Sequence, residues 1–171
     1  MLLIETTDAD FGDLIEGVAP RGLRQPSGGM ERPEVLAMLR QLATEIRPIF
    51  RPASWMMVEE GEIVGLCSIV KLPSDEGVFI GYGVAPERRL LGFASAGVRA
   101  LLEWARNDGR VDVIRAETSV HNRPSQRVLE RNGFKRTGAR VDEEDGDLIC
   151  WSLAVSEQLS SNVEQSRQTS P

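Results

Sequence analysis

The sequence predicts an α+β domain built on a single mixed, mostly antiparallel sheet flanked by helices. Between residues 55 and 84, three β-strand patterns follow one another with short turns between them, which is typical of an antiparallel meander. A long amphipathic helix comes next, with apolar residues at helical spacing over residues 94–105. The chain then continues as strand, helix and two strands, and this order of elements favours a sheet covered by helices.

The N-terminal third supplies one strand and two helices. Residues 2–5 form an apolar strand pattern, and Thr6 or Thr7 is placed to cap the helix that follows. Residues 18–30 are rich in Pro, Gly and Arg and show no periodicity, so we expect a mobile loop. A second amphipathic helix begins near Pro33, because proline is well tolerated in a first helical turn.

The central elements are three strands and the long helix. Residues 55–58 and 63–72 read as a hairpin around the turn EEGE, and residues 78–84 add the third strand. The helix that follows is expected to stop at Gly109, since glycine adopts the left-handed conformation common at helix ends.

The C-terminal part contains a strand over residues 111–118, a short helix with Pro124 in its first turn, and a last hairpin around the turn DEEDGD. We therefore predict one folded domain over residues 1–155. Residues 156–171 are polar and rich in Ser and Gln, and we expect them to form a flexible tail.

The composition of the 171-residue chain excludes several classes of protein. A net charge of −6 argues against a protein built mainly to coat nucleic acid. Cys67 and Cys150 are too few for a disulfide framework, and we expect both to be inert core thiols. With His121 as the single histidine, neither a His-rich metal centre nor a Ser-His-Asp triad is expected. No apolar run has the length of a membrane span, and the N-terminus lacks a secretion signal, which predicts a soluble, cytoplasmic protein.

Residues 81–94, GYGVAPERRLLGFA, form the segment that is most informative about chemistry. A strand ends there, and a short loop leads directly into a helix, whose first turn offers unpaired N–H groups and the positive end of its dipole. Gly92 permits a positive φ and lets a ligand approach the main chain, and Ala94 is small. The segment is therefore either an anion cradle suited to a pyrophosphate or an ordinary strand–helix connection. It lacks the Gly-Lys-Ser/Thr of a Walker loop and the three glycines of a dinucleotide fingerprint.

The hexapeptide RLLGFA, residues 89–94, resembles the R/Q-x-x-G-x-G/A signature of the GNAT superfamily of acyl-CoA-dependent N-acyltransferases. The similarity extends over residues 79–105 and 116–138, two blocks that resemble the branch containing the ribosomal-protein N-terminal acetyltransferases. The resemblance implies the GNAT fold, with acetyl-CoA as co-substrate and no metal. It also implies acetyl transfer to a primary amine, either a protein or peptide N-terminus or a small amine.

The resemblance also implies where CoA would bind. The main chain of Tyr82, Gly83 and Val84 would pair with the pantetheine arm, and a main-chain N–H near Gly83 or Val84 would stabilise the oxyanion. Backbone N–H groups of the cradle would hold the pyrophosphate, namely those of Arg89, Leu90, Leu91, Gly92, Phe93 and Ala94.

Four further side chains are implied in CoA binding. Asn122 and Ser125 would contact the pantetheine or the sulfur region, and Asn122 is also an ordinary helix cap. Arg88 and Arg131 would reach the CoA phosphates.

The proton acceptor and the proton donor remain open at this stage. Glu117 is the first candidate for the base, with an ion pair to Arg115 or Arg136 as its structural alternative, and His121 is the second candidate. Many family members carry a tyrosine four residues before the Gly-Phe pair of the short helix.

This chain has Leu129 at the usual tyrosine position, and its one tyrosine, Tyr82, is expected to pack or to contact pantetheine. Ser125 or a water molecule would then protonate the departing sulfur. The missing phenol keeps a second hypothesis open, a non-catalytic acyl-CoA-binding regulatory module.

Two clusters of charge complete the predictions. Arg123, Arg127 and Arg131 form a stripe on the short helix, which indicates either a solvated face or, as a third hypothesis, an RNA contact. The acidic turn over residues 142–147 is either a solvated turn or a surface that attracts a cationic acceptor. The expected partners are acetyl-CoA and an amine, with a homodimer as an option and no membrane.

Overall fold

The computed structural model of the protein describes residues 1–155, so the tail predicted over residues 156–171 lies outside the described part of the chain. Within residues 1–155 there are seven strands and four α-helices, in the predicted order. In chain order they are β1 (Leu2–Glu5), α1 (Asp8–Ile15), α2 (Pro33–Ile46), β2 (Ser54–Glu59), β3 (Glu62–Ile69), β4 (Val78–Val84), α3 (Phe93–Asn107), β5 (Val113–Ser119), α4 (Arg123–Arg131), β6 (Lys135–Asp142) and β7 (Gly146–Ala154).

The seven strands form one sheet in the order β1-β2-β3-β4-β5-β7-β6. Every neighbouring pair is antiparallel except β4 and β5, which run parallel. The predicted single mixed, mostly antiparallel sheet is therefore confirmed. The parallel pair arises because α3 carries the chain over one face of the sheet between the two strands.

The parallel pair is short and then opens. Pairing runs from Val78 with Ile114 to Ile80 with Ala116, although β4 continues to Val84 and β5 to Ser119. Beyond this point β4 stays paired with β3, and β5 stays paired with β7. The two strands thus diverge, and a cleft opens between their C-terminal halves.

The helices cover the sheet on both faces. A methyl group at Gly97 of α3 would collide with the side chain of Met57 in β2. Gly65 of β3, which pairs with Met57 across the strands, would collide with the same side chain if it carried a methyl group. The helix α3 therefore lies close against this face of the sheet. Leu66 points to the opposite face, because successive side chains of a strand alternate, and there it lines a cavity together with Val35 of α2. The helices α2 and α3 therefore lie on opposite faces of the same strands.

The first helix begins as predicted at a threonine cap. Thr7 accepts a hydrogen bond from the Asp10 N–H at 3.2 Å, and the Asp10 carboxylate accepts one from the Thr7 N–H at 2.7 Å, which is a complete capping box. Of the two candidate threonines, Thr7 is therefore the cap, and Thr6 is fully buried instead.

The segment predicted as a mobile loop, residues 18–30, is attached to the rest of the fold at three places. Arg21 donates to Asp10 at 2.8 Å, and the main chain of Arg24 pairs with the β2–β3 hairpin. Ser27 and the Gly28 N–H both bind one oxygen of Glu87, at 2.9 and 3.0 Å. Their partners lie far away in sequence, so local composition did not reveal these attachments.

No helix in the described residues is both long enough and apolar enough to cross a membrane.

Candidate active site

The cleft between β4 and β5 exposes main-chain groups of β4. The Phe79 carbonyl accepts from the Val70 N–H at 2.9 Å, and the Ala85 N–H donates to the Val64 carbonyl at 3.0 Å. Because main-chain groups alternate along a strand, the odd-numbered residues of this segment direct theirs toward β3. Those of Tyr82 and Val84 are consequently directed toward the cleft. The main-chain contact predicted for Gly83 is corrected by this alternation, since its polar groups face β3.

A cavity of about 390 Å³ occupies the cleft. Its walls combine the diverging ends of β4 and β5 with the start of α4 and the acidic turn between β6 and β7. The lining residues are Val70, Phe79, Ile80, Gly81, Tyr82, Glu117, Thr118, Ser119, Asn122, Ser125, Asp145 and Leu148.

The predicted anion cradle has the backbone conformation that such a site needs. Gly92 caps α3 with φ of 86°, and Leu90 also has a positive φ, 65°. No side chain caps the helix, and in the described part of the chain no acceptor faces the N–H groups of Leu90, Leu91 and Gly92. A methyl group at Gly92 would meet no atom within 4 Å, so the space above the glycine is open. Leu90 is 97% exposed, which shows that this loop is not shaped by core packing.

These properties fit a pyrophosphate. A helix N-terminus with unpaired N–H groups and a left-handed glycine binds anions through the backbone and the helix dipole. The cradle includes the N–H groups of Phe93 and Ala94, which have no partner one turn earlier in the helix.

The arginines next to the cradle differ in their contacts. Arg88 forms a two-point ion pair with Glu62, at 3.2 and 2.8 Å, and this pair competes with the phosphate contact predicted for Arg88. Within residues 1–155 the Arg89 side chain donates only to the Val84 carbonyl, at 3.3 Å. Arg131 lies exposed in the last turn of α4, and Arg123 and Arg127 of the predicted stripe are exposed at the start and in the middle of the same helix.

The start of α4 forms one wall of the cleft. Asn122 accepts from the Ser125 N–H at 3.2 Å, so it is a helix cap, and both residues also line the cavity. The Tyr82 hydroxyl donates to the Ser125 carbonyl at 3.0 Å and joins β4 to α4 across the cleft. Burial raises the pKa of this phenol, which therefore keeps its proton at neutral pH.

Glu117 lies in the cleft but is not a free carboxylate. It accepts two hydrogen bonds from Arg140, at 2.9 and 2.8 Å, and one from Lys71 at 3.1 Å. The Arg140 guanidinium, followed by Lys71, holds the pKa of Glu117 below its usual value, although partial burial opposes this. A carboxylate with three donors and a lowered pKa is a weak proton acceptor, so the base assigned to Glu117 is corrected. The alternative prediction for Glu117 is an ion pair with Arg115 or Arg136. The ion pair is present, but its partners are Arg140 and Lys71.

The remaining predicted positions are distributed as follows. Leu129, at the usual tyrosine position, is fully buried in the core. His121 is exposed in the turn before α4 and does not line the cleft cavity. Burial raises the pKa of the Cys67 thiol to about 12, which agrees with an inert core thiol, while Cys150 is half-buried.

Sequence reasoning missed Asn132, which connects α4 to the cradle helix. Its side-chain amide donates to the Ser95 carbonyl at 3.3 Å, to the Ser95 hydroxyl at 3.1 Å and to the Val128 carbonyl at 2.8 Å. Ser95 belongs to the first turn of α3. In the sequence, an asparagine before the Gly-Phe pair indicates only the end of a helix. No local pattern predicts its contact with Ser95, which is 37 residues away.

Within residues 1–155 no group of three or more His, Cys, Asp and Glu side chains is arranged to hold a metal ion. The candidate site therefore consists of main-chain N–H groups, one phenol, one hydroxyl and a paired carboxylate.

Solved structures with the same fold include several acetyltransferases. A chimera of the spermidine N-acetyltransferase SpeG from Vibrio cholerae and hSSAT has a TM-score of 0.65 and 18% identity, over 92% of this chain and 97% of that one. RimJ of Mycobacterium smegmatis in complex with CoA-disulfide has a TM-score of 0.66 and 20% identity, over 92% and 82%. AAC(6')-Ib in complex with ribostamycin and coenzyme A has a TM-score of 0.65 and 22% identity, over 92% and 94%.

These likenesses confirm the fold, and the sequence itself identifies the family. No curated protein matches the chain significantly. The sequence model described as the acetyltransferase (GNAT) domain matches residues 1–135, which include β1, both N-terminal helices, the cradle and α4. As this match covers well over half of the 171 residues, the chain belongs to the GNAT acetyltransferase family.

Proposed function

We propose that the protein is an acetyl-CoA-dependent N-acetyltransferase that acetylates a primary amine by direct attack in a ternary complex. The observation that carries the proposal is the divergence of β4 from β5, which leaves main-chain groups of Tyr82 and Val84 facing a cleft. The open cradle at Gly92 and membership of the acetyltransferase family support it. The structural neighbours include proteins named as spermidine and aminoglycoside acetyltransferases, and both of those acceptors are amines.

CoA binding would use the main chain of this protein. The N–H groups from residues 89–94 would hold the pyrophosphate, and the main chain of Tyr82 would pair with the amides of the pantetheine arm, as an added strand does at a sheet edge. Asn122 and Ser125 would border the same arm at the start of α4. When bound, acetyl-CoA supplies an acetyl group activated as a thioester.

The reaction needs a neutral amine, a group that stabilises the developing oxyanion and a proton donor for the departing sulfur. The amine nitrogen forms a bond to the thioester carbonyl carbon, the carbon–sulfur bond breaks, and the proton lost by nitrogen balances the proton gained by sulfur. Val84 is the main-chain donor that we assign to the developing oxyanion, because its N–H faces the cleft and β3 holds the strand in place. A donor of this kind contributes about 3–4 kcal/mol to transition-state stabilisation.

Tyr82 is the proton donor that we assign to sulfur. Its hydroxyl lies 3.0 Å from the Ser125 carbonyl, at the wall of the cleft where the family resemblance predicts the sulfur region. The buried phenol stays protonated at neutral pH, as a general acid must. The phenol that α4 lacks at Leu129 would thus come from β4.

A second candidate function is a non-catalytic acyl-CoA-binding module. The ion pairs of Glu117 favour it, because they leave the cleft without the base that the sequence suggested. The two functions share the cradle and differ only in turnover, so one set of variants separates them.

The test combines CoA calorimetry with release of free thiol over a panel of amines and N-terminal peptides. Gly92→Ala places a methyl group in the cradle at a left-handed φ, so CoA affinity should fall at least about 10-fold. Gly109→Ala, beyond the other end of α3 in open space, is the matched control and should bind CoA normally. Tyr82→Phe should keep CoA affinity and lower turnover by about 100-fold or more.

Each outcome has a clear meaning. CoA binding with no thiol release over the whole panel would favour the non-catalytic module. Absence of CoA binding, or equal affinity in Gly92→Ala and wild type, would overturn both functions. Full turnover in Tyr82→Phe would remove the tyrosine from the reaction and leave the acetyltransferase proposal standing.

A further inference from the structure

A second cavity, of about 180 Å³, lies between α2 and the β3–β4 pair, and none of the roles above uses it. Val35 and Leu39, one turn apart on α2, form one wall. Met30 and Glu31, from the segment before α2, close one side. The floor consists of Leu66, Ser68, Gly81, Tyr82 and Gly83.

One glycine of β4 leaves this space free. Gly83 pairs with Leu66, and Gly81 pairs with Ser68, so all four residues belong to the same face of the sheet. A methyl group at Gly83 would meet nothing within 4 Å, which means that the cavity begins directly above its main chain, whereas one at Gly81 would lie 2.9 Å from the side chain of Val70. The cavity therefore begins where β4 lacks a side chain, at Gly83.

The two cavities meet at β4. Gly81 and Tyr82 line both of them, one on each side of the strand. This is the segment at which β4 leaves β5, and it includes Tyr82, the residue that we assign as proton donor to the sulfur. A molecule in the second cavity would therefore lie next to the reacting carbonyl without competing with CoA for the cleft.

The lining of the second cavity defines the chemistry of its occupant. Its side chains are mostly apolar, and Glu31 is the one ionised group among the lining residues described. Glu31 is about two-thirds buried and accepts from the N–H of Arg32 at 3.0 Å. The guanidinium of Arg32, which is 79% exposed, lies 3.9 Å from the same carboxylate oxygen, so an acceptor amine would share this carboxylate with a solvent-exposed arginine. A cavity of about 150 Å³ with apolar walls holds a benzene molecule, so this one accepts a group of that size.

We propose that the second cavity selects the acceptor as a primary amine attached to one apolar group, about the size of a benzene ring or a leucine side chain. The inference rests on the proposed function, and it names the substrate class of that same site. Glu31 recognises the single positive charge, and Val35 and Leu39 recognise the apolar group. A free arylalkyl or alkyl amine and a peptide beginning with Leu or Phe both carry this chemistry. Polyamines and aminoglycosides do not fit, because their further cations would be unpaired against apolar walls.

A hydrogen-bonded contact fixes this cavity relative to the cradle. Glu87, in the turn just before the cradle, binds Ser27 and the Gly28 N–H, three and two residues before Met30. The segment that supplies Met30 and Glu31 is thereby attached to the loop that would hold CoA. Two hydrogen bonds consequently connect the acceptor cavity to the loop that would hold CoA.

The experiment measures kcat and KM for 2-phenylethylamine, ethanolamine and spermidine, and for peptides that begin with Leu or Ser. Val35→Phe should fill the cavity and raise the KM for 2-phenylethylamine at least 10-fold. Met38→Phe, on the exposed side of the same helix, is its control. Glu31→Gln should raise the KM for every amine about 10-fold through loss of a charged hydrogen bond, and exposed Glu34→Gln should not.

A preference for spermidine or ethanolamine over 2-phenylethylamine would overturn the inference, and so would equal effects of Val35→Phe and Met38→Phe. The two peptides distinguish a peptide acceptor from a small amine. Calorimetry with 2-phenylethylamine gives a readout without turnover. Binding that Val35→Phe abolishes supports the cavity even in a protein that transfers nothing, whereas absence of binding refutes it and leaves the acetyltransferase proposal intact.

Discussion

In the proposed mechanism, Tyr82 of β4 takes the part of the phenol that α4 lacks at Leu129. Leu129 stands where the family resemblance leads one to expect a phenol, and it has 0% exposure because α4 packs this position into the core. Tyr82 reaches the start of the same helix from β4 and donates to the Ser125 carbonyl. The sequence pattern of α4 shows only that this helix lacks a phenol. The 3.0 Å hydrogen bond from the Tyr82 hydroxyl to the Ser125 carbonyl shows that β4 brings a phenol to the start of the same helix.

Glu117 shows the opposite case, a residue at the expected place with an unexpected environment. Arg140 and Lys71 surround its carboxylate and lower its pKa. Arg140 also binds Asp142, whose pKa that guanidinium lowers to about 2. Lys71, Glu117, Arg140 and Asp142 are thus paired with one another beside the cleft.

The lowered pKa of Glu117 predicts how its contribution to stability depends on pH. A carboxylate with a folded-state pKa below its unfolded value of 4.5 stabilises the fold above that value, and the stabilisation disappears as pH falls through the folded pKa. Glu117→Gln should therefore lower the free energy of unfolding most at pH 6–7 and progressively less below about pH 4.5. Urea unfolding from pH 3 to pH 7 measures this difference.

The control is Glu103→Gln, an exposed carboxylate on α3, which should change stability by less than about 0.5 kcal/mol throughout. A difference for Glu117→Gln that stayed constant down to pH 3 would contradict the ion pairs.

At the scale of elements, the cradle depends on the contact between α3 and α4. The α3 N-terminus has no side-chain cap, so its first turn is left open for a ligand. Asn132, at the end of α4, supports that turn from the side through the Ser95 carbonyl and hydroxyl. The helix that borders the pantetheine thereby also positions the N–H groups that would hold the pyrophosphate.

Asn132→Ala should loosen this contact and weaken CoA binding. Three acceptors lose their donor, so we expect a loss of about 1–2 kcal/mol in the free energy of unfolding and a several-fold increase in the Kd for CoA. Asn107→Ala is the matched control, because Asn107 ends α3 and its amide binds only the Glu103 carbonyl of its own helix, at 2.8 Å. Similar CoA affinity in the two variants would show that Asn132 has no role in the cradle.

At the scale of the whole molecule, two cavities lie on different sides of β4, and residues of this strand line both of them. The cleft cavity opens between β4 and β5, and the second cavity lies beneath α2 on the other side of β4. Donor and acceptor would therefore approach from different directions and meet at Gly81 and Tyr82. This arrangement suits direct transfer in a ternary complex, because neither substrate must leave before the other enters.

Ligand binding across both ends of the cleft should stabilise the entire domain. A ligand that binds only the folded state at 100 times its Kd adds about 2.7 kcal/mol to the free energy of unfolding. We expect CoA to raise the Tm of the wild type by several degrees and to have a much smaller effect on Gly92→Ala. Pantetheine, which lacks the pyrophosphate, should give a small shift in both proteins at equal concentration. Equal shifts with CoA and pantetheine would contradict a phosphate cradle, and differential scanning calorimetry measures them.

The sequence alone determined the order of the elements and most of their limits. The threonine cap of α1, predicted as Thr6 or Thr7, the proline at the start of α2 and the left-handed Gly92 are local features, and local residue preferences are sufficient to predict them. The two sequence blocks around the cradle and α4, residues 79–105 and 116–138, also identified the GNAT family correctly.

Only the tertiary structure decided which groups face the site. The Glu117 carboxylate finds Arg140 and Lys71, 23 and 46 residues away, and no pattern in the sequence distinguished them from Arg115 or Arg136. The direction of the main-chain groups at Gly83 depends on the register between β3 and β4, and the second cavity depends on how α2 covers that pair. Contacts between distant residues are set by packing and sheet register, whereas turns, caps and periodicities are set by neighbours in the chain.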